Sequence, residues 1–169
     1  MGRRREGRET AVQFLFAHDV HEGAGNPSAE EQNGFWELHS ASKGVREFAE
    51  HLIKGVLQHL PEVDARIVKA CENFSLERIG GVERNILRLG IYELIHTPAL
   101  PSAIIINECI EIAKKFCASD SSRFVNGILD RIGREVRPGE ARGRKGKKVV
   151  VEDEEPADAA KPEPANSEQ

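Results

Sequence analysis

Along most of the chain apolar residues recur every three or four positions, the period of a helix buried on one side. From about Arg4 to Asp19 the stripe is Val12, Leu15 and Phe16, continued by Val20, with Ala11 beside it. A second, strongly periodic stripe runs through Val45, Phe48, Ala49, Leu52, Ile53, Val56 and Leu57, and Pro61 ends that helix or opens the next. Val63, Ile67, Val68 and Cys71 form a third. Ser75 to Arg78 predicts a short capped turn, closed by Gly80-Gly81. From Val82 to His96 apolar residues cover much of the girth: Val82, Ile86, Leu87, Leu89, Ile91, Leu94 and Ile95. Such a helix is central, with neighbours on several sides. Gly90 inside it costs about 1 kcal/mol of propensity relative to Ala, which a close helix crossing would offset. Ser102 is the expected N-cap of a helix carrying Ile104, Ile105, Ile110, Ile112, Ala113 and Phe116, with Glu111 and Lys115 as an i,i+4 pair. The last helix starts near Asp120 or Ser121 and carries Phe124, Val125, Ile128, Leu129 and Ile132.

Between these helices, His21 to Ser42 is polar and rich in Gly, Asn and Ser, and reads as a loop anchored by Phe35, Trp36 and Leu38. Residues 1–135 show no internal repeat and no alternating strand. The expected fold is all-α: a compact bundle of about seven helices, the Ser75 turn included, in two small sub-bundles split near Gly80-Gly81. Residues 1–135 form the expected helical domain. Residues 136–169 are expected to be a disordered tail, too poor in apolar side chains to offset roughly 1–2 kcal/mol of backbone entropy per residue.

Composition changes the picture mainly through charge. The formal net charge is −4, but it is unevenly spread. Residues 151–169 hold seven acids and one base, leaving 23 bases against 21 acids in the rest. Six bases crowd into residues 137–148, and four arginines into the first nine. The basic part of the tail reads either as a solubilising extension or as an arm that tracks nucleic-acid phosphates. The longest aliphatic run, Ala103 to Ile106, is far too short to span a bilayer. The arginine-rich start lacks the apolar stretch of a secretory signal. Three cysteines at non-metal spacings, Cys71, Cys109 and Cys117, point to a reduced, cytoplasmic compartment.

Catalytic signatures are absent from the sequence: there is no phosphate-binding glycine loop and no nucleophile with a base and an orienting partner. His18 and His21 read as surface histidines near a helix end, since no further ligands complete a zinc site. Cys109 and Cys117 read as small buried hydrophobes, and Glu108 and Glu111 as a solvated face. No cofactor is implied. What stands out is basic and polar. Arg3, Arg4, Arg5 and Arg8 lie at the start of the first helix, where cations oppose the helix dipole by up to roughly 1 kcal/mol each; guanidinium groups suit phosphates and stack on bases. Asp120-Ser121-Ser122-Arg123-Phe124 joins helix-start N–H groups, hydroxyls, a base and an aromatic ring, a set able to hold a nucleotide. Arg88, amid apolar neighbours, is the third feature; its plainer reading is an arginine snorkelling at a core rim.

Four stretches in this order resemble the bacterial NusB family of transcription antitermination factors: Arg4 to Gln13, Val82 to Leu94, Ile106 to Phe116 and Ser121 to Asp130. The resemblance implies two helical sub-bundles and a noncatalytic role: binding boxA RNA of ribosomal RNA leader transcripts together with NusE, the small-subunit ribosomal protein, within the RNA polymerase complex that reads through terminators. Carried over by position, Arg4, Arg5, Arg8, Arg88, Asp120, Arg123 and Phe124 would face RNA, and Phe16, Glu77 and Glu83 the protein partner. Three positions depart from the family pattern: Glu6 interrupts the arginines, Phe16 replaces a frequent Tyr, and Cys117 replaces a frequent Gly. About four neutralised phosphates would give log K against log salt a slope near −3.

Two other classes remain open to the sequence. Some ribosomal RNA cytosine methyltransferases carry a NusB-like domain, but the roughly 35 residues after the last helix leave no room for a cofactor-binding sheet, and a catalytic Cys motif is missing. The other is a helical interaction module without RNA binding, a homodimer that masks the arginine-rich face.

Overall fold

The structure, a computed structural model, describes residues 2–21 and 25–140. Seven α-helices follow in order: α1 (Arg3–His21), α2 (Ala29–Leu38), α3 (Lys43–Gln58), α4 (Leu60–Ala70), α5 (Gly81–His96), α6 (Ser102–Phe116) and α7 (Ser121–Val136). A 3₁₀ turn, Leu76–Arg78, precedes α5. The count of seven is reached by an exchange. The Ser75 segment is a single 3₁₀ turn, whereas the expected loop contains α2. Three apolar side chains gave α2 no stripe to see. Its start was nonetheless signalled by Ser28, whose side chain accepts the N–H of Glu31, with Glu30 and Glu31 in the first turn. Phe35 is buried edge-on against Phe14 and Trp36 packs beside the core, but Leu38 is 84% exposed and anchors nothing.

Ser42 caps α3 through the N–H of Val45. His59 is shared by the end of α3 and the start of α4, with Pro61 in the first turn, where a missing N–H costs nothing. The expected cap at Ser102 is displaced by one residue. Pro101 occupies that position, and Ser102 instead donates its hydroxyl and its N–H to Glu140.

α5 is the axis of the molecule. Its residues from Asn85 to Leu94 are all buried; α1, α3 and α4 cover one side and α6 and α7 the other. The two sub-bundles, α1–α4 and α5–α7, therefore join in one continuous apolar core. Gly90 explains how closely α6 and α7 approach. A Cβ there would stand 2.9 Å from both Cys109 Sγ and Leu129 Cδ2, so the glycine accepts a propensity cost for interior packing that Ala would obstruct.

Polar ties fix the order of helices around α5. Arg8 on α1 makes a two-bonded ion pair with Glu93, both bonds 2.9 Å. At the other end of α1, Asp19 accepts from Arg84 and Asn85. α1 and α5 thus run antiparallel. After α7, Arg137, counted above with the basic tail, donates to the carbonyls of Glu93, Leu94, Thr97 and Leu100 and closes the C-terminus of α5. The rest of the charged tail, residues 141–169, lies outside the described residues. No described helix is long and apolar enough to cross a membrane.

Candidate nucleic-acid interface

The arginines at the start of α1 meet three different environments. Successive helical residues turn by about 100°, so neighbours in sequence face different elements. Arg4 faces α3, its guanidinium 4.3 Å from the ring centroid of Phe48. Arg5 faces α6 and holds Glu108 with two hydrogen bonds of 2.8 Å. Arg8 points inward to Glu93 and is only 4% exposed. Among the described residues, Arg3 and Arg4 carry no ion pair. The run that looks like one cluster is therefore one interior strut, one half-exposed bridge and two free cations.

Arg88 differs from expectation most sharply. It is 6% exposed and faces inward, because α5 is enclosed on both sides. Asp64 on α4 takes two of its bonds, at 2.8 and 3.0 Å, and Asp19 lies 3.2 Å from it. Burial opposes its charge, but the Asp64 and Asp19 carboxylates win and hold its pKa above the ordinary value. Its donors are engaged with protein, so neither the RNA-facing reading nor a snorkelling head in water fits the placement. Asp19 responds in kind. Burial pushes its carboxyl up, yet the hydrogen bond from Arg84 and the charge of Arg88 hold it below the usual carboxylate range. Asp19 and Asp64 carried no role in the sequence; the signal was Arg84 and Arg88, one turn apart in a largely apolar helix, where a buried guanidinium demands a buried acid.

His18 also departs from the surface reading. It is 3% exposed, with Glu31 Oε1 at 2.8 Å and the Gly25 carbonyl at 3.0 Å from its two ring nitrogens. Its ring lies parallel to that of Phe14, so it ties α1 to α2 rather than meeting solvent.

A seam along α1 and α6 connects the two segments of interest. Arg5 meets Glu108, and one turn on Glu9 accepts from Lys115 at 2.7 Å. Lys115 is thereby taken from Glu111, which bonds Lys114 instead. Where α6 ends, the Cys117 thiol is pushed up to about 11 by burial and by Glu83 beside it, while burial also raises that of Cys109; neither supplies a ready thiolate. Glu83 accepts the Ser121 hydroxyl at 2.7 Å, which brings the start of α7 to the start of α5. There Asp120 and Arg123 are exposed and Phe124 is half-buried against the core. Phe16, 37% exposed, lies against Gly81, where a Cβ would come within 2.8 Å of its ring. Glu77 is exposed on the 3₁₀ turn. The partner-side residues thus gather at one end of α5, beside the Asp120 segment, and the arginines lie at the other.

The fold and this seam define a class: an all-helical protein whose distinctive surface is a strip of guanidinium, carboxylate and aromatic groups between two helices. The comparisons narrow it. The family model described as "NusB family" matches residues 5–134. The transcription antitermination protein NusB of a Nitratiruptor species is 41% identical over 140 residues, 82% of this chain and 97% of that one. Its counterpart in Sorangium cellulosum is 42% identical over 132 residues, 78% and 92% of the two chains. The chain belongs to the NusB family of transcription antitermination proteins. Among solved structures, T. maritima NusB superposes with a TM-score of 0.68 at 35% identity, covering 80% of this chain and 92% of that one. A chain from the crystal structure of antitermination factors NusB and NusE in complex with double-stranded RNA gives 0.68 at 29%, covering 80% and 98%.

Proposed function

We propose that this protein is a noncatalytic antitermination factor of the cytoplasm that binds boxA RNA of ribosomal RNA leader transcripts jointly with NusE, within the complex that lets RNA polymerase read through terminators. The observation that carries the reading is the α1–α6 seam, bridged by the Arg5–Glu108 and Lys115–Glu9 pairs, with the Ser121–Glu83 bond holding the start of α7 against the start of α5 at its end. From Glu83 to the level of Arg4 the strip is about 20 Å long at 1.5 Å per helical residue, room for several nucleotides. Arg3, Arg4 and Arg123 supply free guanidinium groups, Asp120 offers acceptors for base edges, and Phe124 a ring edge. Arg8 and Arg88 act from inside, as struts that hold α1, α4 and α5 in place. Phe16, Glu77 and Glu83 serve the protein partner at the end of the strip near the start of α5, beside Asp120 and Arg123 and away from Arg3 and Arg4. The fit to NusE as that partner comes from the relative seen in complex with NusE and RNA.

With three free arginines rather than four phosphate contacts, log K should fall against log salt with a slope near −2 for a single strand. Titration of labelled boxA RNA and a scrambled RNA, with and without NusE, tests the reading. Expected are preference for boxA, the modest slope, and tighter binding when NusE is present. Equal affinity for both RNAs, unchanged by NusE, would overturn it.

A further inference from the structure

Phe48 lies outside the four stretches on which the family resemblance rests. It sits half-buried on α3 beneath Arg4, the guanidinium 4.3 Å from its ring centroid, with that of Arg8 at 5.4 Å. The contact is built rather than incidental. Gly7 lets α1 and the ring close together: a Cβ at that position would lie 2.6 Å from Phe48 Cδ1, so any larger residue would displace the ring. Glycine inside a helix costs about 1 kcal/mol against Ala, and here it clears the space under Arg4. The neighbouring arginines follow another rule. Arg5 and Arg8 each face a carboxylate, whereas Arg4 rests on an aromatic face that orders a guanidinium without neutralising it.

We infer that Phe48 is a positioning residue for RNA binding: its ring holds the Arg4 guanidinium flat, leaving the N–H edge and the outer face free for a phosphate and a base of single-stranded RNA. The RNA path then extends beyond the α1–α6 seam, over the start of α1 toward α3. The inference rests on the proposed RNA-binding function. A flexible, solvated arginine must be ordered as RNA binds, and the stacked one is ordered beforehand, which removes part of that cost.

The test is a titration of the full chain with labelled boxA RNA, comparing wild type, Arg4→Gln, Phe48→Leu, Phe48→Tyr and the double variant Arg4→Gln/Phe48→Leu, each with its melting temperature recorded. Leu keeps apolar bulk and removes the π face; Tyr keeps the face. Phe48→Leu and Arg4→Gln should each weaken binding about fivefold, the size of one cation–π contact. Phe48→Tyr should bind like wild type, and the double variant should bind no worse than Arg4→Gln alone. Should Phe48→Leu lower the melting temperature and leave affinity intact, or should the two losses multiply, the positioning role is overturned. Should Phe48→Leu fail to fold, Gly7→Ala, which displaces the same ring, takes its place with the same expected loss and non-additivity. A wild type that does not prefer boxA refutes the proposed function itself, a result distinct from wild-type-like affinity of the leucine variant.

Discussion

Arg4 and Arg8 stand one turn apart on the same helix, and the molecule uses them in opposite ways. Arg8 is enclosed by α1, α3 and α5 and completes a buried ion pair with Glu93. Arg4 lies at the open end of α1, on a ring, with no carboxylate partner among the described residues. The same contrast separates Arg88, held by Asp64 and Asp19, from Arg123, exposed on the first turn of α7. An arginine's part in this protein is set by whether an acid from another helix reaches it. Buried pairs hold the helices in register; the unpaired cations remain for a polyanion.

The contrast is most easily broken at Glu93. Glu93→Gln leaves the Arg8 charge buried without its counter-ion and should cost about 3–5 kcal/mol of stability in a denaturant melt. Loss of RNA affinity without loss of stability would mean that Arg8 belongs with the binding cations. The next largest effect concerns the axis that both arginine classes depend on. Gly90→Ala should destabilise by about 1–2 kcal/mol, since overpacking against Cys109 and Leu129 outweighs the gain in helix propensity. For Arg4→Gln the order of effects reverses: about a fivefold loss in RNA affinity, roughly 1 kcal/mol, with the melting temperature nearly unchanged.

Acid should act on the paired class as well. The hydrogen bond from Arg5 outweighs burial and holds the Glu108 carboxyl below its usual range, and Asp19 is held low by Arg84 and Arg88. Their contribution is fully present above the unfolded-state values near pH 4 and is lost as pH falls through the lower folded ones. Asp19→Asn and Glu108→Gln should each flatten the decline of stability below about pH 4, measured by melts across pH. The smallest change should come from Lys43→Gln, which removes an exposed intrahelical pair with Glu47 and should shift stability by less than about 0.5 kcal/mol.

Much of this could be read in the sequence, for identifiable reasons. Six of the seven helices announced themselves because a helix with one buried face must repeat its apolar residues every three or four positions. The largely apolar girth of α5 and the glycine within it foretold a central helix crossed at close range. α2 escaped because it is held by Phe35, Trp36 and the buried His18–Glu31 contact, too few apolar positions to make a pattern. The polar segments that drew attention were recognisable as unusual, but their partners were not: Glu93 is 85 residues from Arg8 and Glu108 is 103 from Arg5.

The sequence by itself determined the helical class, the extent of most helices and the family, since these rest on local periodicity and on residue order along the chain. Only the tertiary structure decided which arginines are engaged and which remain free. Helix direction, the antiparallel pairing of α1 with α5 and the turn of about 100° per residue together select the carboxylate or ring that each guanidinium meets. Charge is a property of a residue, but its availability depends on desolvation and distance, and both are set by segments remote in the chain.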